Sequence, residues 1–221
     1  MFPTSREDII RIILSIPAIL IAFTFHEYAH ARTADILGDK TPKFQGRLTF
    51  NPMAHIDPIG FIMILLVGFG WAKPVQTNPS AFKRYYKDDL KVSIAGPIAN
   101  IIVAFVFSFI FLASIVLLKD SLSSSTVASY ICIIFKYVIV INCTLFFFNL
   151  LPLPGLDGFH IFRDLFPKAF YNISDKIYRY QMVILIVFLL TPLPKYIIGI
   201  PSAGVTNLFI SIASKIFLPF M

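Results

Sequence analysis

The chain holds four histidines and two glutamates in 221 residues, and three of these six stand together as His26-Glu27-Tyr28-Ala29-His30. On a helix, positions i and i+4 lie a turn apart on one face, so both imidazoles can reach one metal ion. Zinc takes imidazole nitrogen readily, and Glu27 beside the pair can accept a proton from water on that ion. The apolar run Ile9–Phe25 leads straight into the cluster, and ionisable groups there are expensive unless paired or metal-bound. The cofactor expected is one Zn2+ per chain.

A hydrolytic zinc site needs a third protein ligand. The candidates are His55, Asp57, Asp157 and His160. Asp157 closes the stretch Asn149-Leu-Leu-Pro-Leu-Pro-Gly-Leu-Asp157-Gly158, where Pro152 and Pro154 break a helix and the glycines allow unusual backbone. Irregular backbone at membrane depth is tolerated only inside protein or lining a cavity, which favours Asp157 as the ligand. His55, beside Asp57-Pro58, reads as a structural histidine, and His160 as a group that could orient Asp157.

The elements that must carry these groups are membrane helices. Hydrophobic residues make up 57% of the chain and charged residues only 14%, against roughly 25% charged in soluble proteins. Mean hydropathy is +0.79. This composition excludes disorder, a secreted disulfide scaffold and an ordinary cytosolic enzyme. A crossing takes about 20 apolar residues. Candidate spans are 9–34, 92–118, 127–151, 177–190 and 197–217, and 59–71 is short enough to be re-entrant. The fold expected is an all-α polytopic membrane protein with five to six transmembrane helices. A single domain over 1–221 is expected, with a core at 9–165 and C-terminal helices at 177–217.

A net charge of +7 with these spans reads as loop lysine and arginine facing anionic lipid, and no nucleic-acid motif accompanies it. The segments Arg32–Arg47, Lys73–Lys91 and Arg163–Arg179 hold thirteen of nineteen basic residues. The positive-inside rule puts them in the cytoplasm, so the site is expected to face the cytoplasmic side of the cell membrane. Cys132 and Cys143, inside one apolar run, are expected to be packing residues. Lys136, in the same run, either snorkels or lines a water path.

The sequence resembles the site-2 protease family of intramembrane zinc metalloproteases, in the compact prokaryotic branch without a PDZ domain. The likeness rests on His26-Glu-Tyr-Ala-His30 with Ala34-Asp35 and Leu37-Gly38-Asp39, then Gly46-Arg-Leu-Thr-Phe-Asn-Pro52 and His55-Ile-Asp-Pro-Ile-Gly60. Gly68-Phe-Gly-Trp-Ala-Lys-Pro-Val75, Ala95-Gly-Pro-Ile-Ala-Asn100 and the Asn149–Gly158 stretch follow in the same order. The run Lys83-Arg84-Tyr85-Tyr86-Lys87 and the C-terminal segment match nothing diagnostic. The resemblance implies that His26, His30 and Asp157 bind zinc and that Glu27 is the general base. It also implies that Asn149 contacts substrate or donates to the developing oxyanion, and that Asn100 helps line the core there. The segment 68–79 resembles membrane-embedded strands whose edge could pair with an unwound substrate.

The function expected is hydrolysis of a peptide bond in or next to a transmembrane segment, with a transmembrane protein or peptide as substrate and the lipid bilayer as surroundings. In so short a chain, regulation is expected from a membrane partner or from an earlier cut in the substrate. A catalytically inactive membrane binding protein or a transporter is the alternative. An intact Glu27 argues against the first, and a lack of further ionisable residues in later spans argues against the second. A di-iron oxidase needs more histidine and carboxylate ligands than the chain has.

Overall fold

Ser5 starts the first helix by accepting from the Asp8 amide at 3.1 Å, while Asp8 accepts in return from the Ser5 amide at 3.2 Å. This reciprocal cap satisfies two donors that a helix start leaves unpaired. The computed structural model describes residues 5–67, 70–122, 124–217 and 219. Gly68 and Phe69 of the expected re-entrant segment, and Ser123, lie outside the described residues.

Helix α1 (Arg6–Leu37) ends at Gly38, whose φ of 113° is open to glycine and strained for other residues. A short turn of helix, α2 (Thr41–Phe44), follows, and then α3 (Pro58–Val67), whose start is capped by Asp57 accepting from the Gly60 amide at 2.8 Å. At ten residues α3 runs about 15 Å, half the thickness of a bilayer core. The chain then returns along α3: a Cβ on Gly60 would strike the Trp71 carbonyl, and Ile56 pairs with Ala72 in an isolated antiparallel bridge. That bridge is all the strand pairing among the described residues, so the segment expected to form strands is extended chain held at one rung.

The long helices come next: α4 (Tyr85–Leu117), α5 (Thr126–Asn149), the nine-residue α6 (Asp157–Leu165), α7 (Pro167–Leu190) and α8 (Ile200–Phe217), the last entered through a π-helical turn at Lys195–Gly199. The fold is all-α and polytopic. Four helices among the described residues are long and apolar enough to cross a membrane: α1, α4, α5 and Lys195–Phe217. The crossing expected over 177–190 is the C-terminal part of α7, whose preceding turns carry Lys168, Asp175 and Lys176, with Arg179 near the start of the expected span.

Helices α1, α4 and α5 pack round small residues, with Ala18, Val103 and Val138 at their junction. Lipid tails are as apolar as the side chains, so close approach through small residues is what holds membrane helices together. Helix α8 closes the far side, where Val205 and Phe209 lie on Ala104, Ile139 and Cys143. Both cysteines are buried and unpaired, as expected of packing residues. Lys136 is exposed on the outer face of α5.

Chain direction gathers the chemistry at one end of the bundle. Residue 26 lies twenty positions into α1, about 30 Å from its start. Helix α4 runs back against α1, since Ala18 meets Val103 while His30 meets Val92. The end of α1, the start of α4, the end of α5 and the start of α6 therefore share one end.

Candidate active site

His26, Glu27 and His30 are all buried on α1. The Nδ1 of His30 lies 2.7 Å from the Val92 carbonyl oxygen. A carbonyl can only accept, so this nitrogen carries the ring proton and leaves Nε2 bare. The same logic fixes His26. Its Nδ1 lies 2.7 Å from Asn100 Oδ1, and Asn100 Nδ2 donates to the Ala22 carbonyl at 3.2 Å and to Asn142 Oδ1 at 2.8 Å. The Ala22 carbonyl decides which end of the amide is nitrogen, so Oδ1 faces His26 and His26 also presents a bare Nε2.

Between the two rings stands Asp157, the first residue of α6. His26 Nε2 is 3.0 Å from His30 Nε2, 3.1 Å from Asp157 Oδ2, and His30 Nε2 is 3.3 Å from Asp157 Oδ1. Asp157 Oδ2 is buried without a hydrogen-bond donor. Two imidazole nitrogens and a carboxylate thus converge within 3.3 Å of one another, an arrangement that a cation completes. Nitrogen and oxygen donors in a set of three suit zinc with one position open.

Space for this cluster comes from a missing side chain. A Cβ on Gly96 of α4 would strike the His30 ring at Nε2 and the His26 ring at 2.6 Å from its Cε1. Gly158 likewise lets α6 start against the Leu150 and Leu151 carbonyls, so the end of α5 lies directly beside Asp157.

Glu27, beside the pair, reaches the chain segment around Val75. Its Oε2 accepts from the Val75 amide at 2.8 Å. Arg47 holds that segment in place: Nη2 donates to the Lys73 carbonyl at 3.2 Å and the Pro74 carbonyl at 2.7 Å, and Nη1 to the Ala54 carbonyl. Burial pulls the Arg47 guanidinium below its ordinary value, and the nearby Glu27 charge acts against that pull.

Of the four third-ligand candidates, the structure brings Asp157 to the histidine pair. His55 is fully buried elsewhere, with Nε2 on the Thr49 carbonyl at 2.8 Å and its own carbonyl accepting from Lys73. Asp57 caps α3. His160 is exposed one turn along α6 and makes no hydrogen bond to Asp157 among the described residues. Asn149 is the half-buried last residue of α5. Asn100 is buried completely, with its amide engaged at both ends inside the bundle rather than open to a substrate. The sequence reading passed over Gly96, Arg47, Asn142 and the Val75 amide. A glycine four positions before Asn100 and an amide inside the apolar α5 were the available signals for two of them.

The profile of peptidase family M50 matches residues 14–192. A Bacillus subtilis protein named as a candidate zinc metalloprotease, YwhC, is 37% identical over 206 residues, 92% of each chain. The chain belongs to peptidase family M50, the site-2 proteases. The mycobacterial Rip2 proteins, named in the same terms, are more distant. That of Mycobacterium tuberculosis H37Rv is 27% identical over 178 residues, covering 78% of this chain and 65% of its own. That of Mycolicibacterium smegmatis is 27% identical over 188 residues, covering 81% and 68%. No solved structure matches the chain. The protein is thus a membrane metalloprotease of family M50 with zinc as its cofactor.

Proposed function

We propose that this M50 protease is an intramembrane endopeptidase, hydrolysing a peptide bond in or next to a transmembrane segment of a membrane protein. The observation that carries the reading is the position of the donor cluster. It lies inside the helix bundle, about 30 Å along α1, with the base Glu27 hydrogen-bonded to a loop that folds back beside α3. His26, His30 and Asp157 hold the metal. Zinc, when bound, supplies Lewis-acid chemistry, acidifying water and polarising a carbonyl. Glu27 accepts the proton of the attacking water and later delivers it to the leaving amine. The half-buried Asn149 amide, at the end of α5 beside Asp157, donates to the developing oxyanion. Residues 70–78, non-helical and bridged once at Ala72, flank the place where an unwound substrate would lie; the Lys73, Val75 and Asn78 amides and the Lys73 and Pro74 carbonyls are bonded within the chain, so the substrate pairs with the remaining backbone groups.

Cleavage of a single-span substrate in reconstituted vesicles tests this, with the cut mapped by mass spectrometry. A zinc-dependent cut within the span or a few residues from its end is expected. Cutting confined to distant soluble tails would overturn the intramembrane reading.

The basic segments 32–47, 73–91 and 163–179 adjoin the gathered end of the bundle, which supports a cytoplasmic-facing site in the cell membrane. Reporter fusions at Lys43, Lys83 and Asp164 should read cytoplasmic, and one at Asp120 external. An external signal at Lys83 would reverse the orientation.

A further inference from the structure

Nine residues of helix are too few to hold a shape alone, so the aim of Asp157 depends on how α6 is fastened. Two fastenings are present. Phe159, 2% exposed, packs edge-on against Phe170 and Tyr178 of α7 with ring centroids 4.9 and 5.3 Å away. Near the other end of α6, Arg163 reaches across to Asp89 of α4 through Nη2 and binds Asp164 through Nε at 2.8 Å. The Asp89 side chain is 6% exposed and that of Arg163 13%.

Asp89 is not placed at random on α4. It stands three residues before Val92, which fixes His30, seven before Gly96, which makes room for both rings, and eleven before Asn100, which fixes His26. Steps of three and four keep all four on one helix face. We propose that Asp89 and Arg163 are positioning residues for the metal ligand Asp157. Their ion pair registers α6 on the same stripe of α4 that orients both histidines. Ligand geometry is useful only when held within about 0.5 Å, and Arg163 is six residues, about 9 Å, from the carboxylate it steadies. The proposal rests on Asp157 being the third zinc ligand.

Breaking a buried pair leaves an uncompensated charge and lowers stability whatever its purpose. The test must therefore separate aim from folding, and a double-mutant cycle on zinc affinity does so. The full chain is purified in detergent and its zinc is titrated against a chromophoric chelator. Arg163→Ala should bind zinc about 10- to 100-fold more weakly, as expected when the partner orienting a ligand is lost. In an Asp157→Ala background the same substitution should cost nothing further, because its effect passes through the missing carboxylate. Arg163→Lys keeps the charge but not the fork that holds two carboxylates, and should fall between. If Arg163→Ala does not accumulate, Asp89→Asn, which retains an acceptor oxygen, carries the same cycle. Equal losses in both backgrounds, or none in either, would overturn the proposal. Unchanged affinity in Asp157→Ala alone would instead remove the ligand reading, and the proposal with it.

Discussion

Glu27→Gln should leave stoichiometric zinc in the protein and abolish peptide-bond cleavage. The metal stays because none of His26, His30 or Asp157 is touched. The local structure stays because the Val75 amide needs only an acceptor oxygen, which the glutamine side chain still offers at the same reach. What disappears is the basic site. An amide cannot take a proton from the attacking water, and a positioned base contributes about 100- to 10,000-fold to such a step. His30→Ala and Asp157→Ala should fail differently, losing metal and activity together, since two protein ligands hold zinc poorly. His55→Ala should keep its zinc, because His55 is buried on the Thr49 carbonyl, away from the donor cluster. Elemental analysis of purified protein, alongside cleavage of a transmembrane substrate, separates these cases. A Glu27→Gln protein that still cuts would remove Glu27 as the base. One that loses zinc would make Glu27 part of the metal's support.

The donor cluster was legible in the sequence because its parts are local or punctuated. The pair His26 and His30 is read from helical spacing alone, and Asp157 from prolines and glycines that break a helix where a ligand is wanted. The number of long apolar helices was less legible. Residues 177–190 are apolar enough to suggest a separate crossing, but their helix begins ten residues earlier, at Pro167, and its first half is charged. The expected strands were less legible still. They rested on the resemblance over 68–79 and not on a local pattern; pairing depends on what lies alongside, and among the described residues only Ile56 bridges Ala72. Least visible were groups that act through shape or backbone. Gly96 contributes an absence, marked only by its spacing from Asn100, while Val92 contributes a carbonyl and Val75 an amide that no side-chain pattern announces.

Gly96→Ala should therefore be among the most damaging small substitutions in the chain. One methyl group placed there meets the His30 ring at Nε2 and comes within 2.6 Å of the His26 ring, closer than real Cβ contacts. Relief cannot come from ring rotation without breaking the bond of His30 to the Val92 carbonyl or of His26 to Asn100, each 2.7 Å long. Nor can it come easily from parting α1 and α4, which are drawn together at Ala18 and Val103 farther along. Overpacking of this kind costs about 1–3 kcal/mol in a close-packed interior. Here the strain falls on the two ligand rings, so zinc affinity should drop about 10- to 100-fold, the range seen when ligand orientation is lost. Gly→Ala within a helix is otherwise favourable, which gives the prediction a control. In a background carrying both His26→Ala and His30→Ala the obstructing rings are gone, and the added methyl should cost little or no stability. Thermal melts of Gly96→Ala in the natural and the two-alanine background, with zinc content measured on the natural-background protein, read both effects. A Gly96→Ala protein with full zinc and unchanged melting would show that the two helices can part at this point, and that the glycine is not what lets the ligands meet.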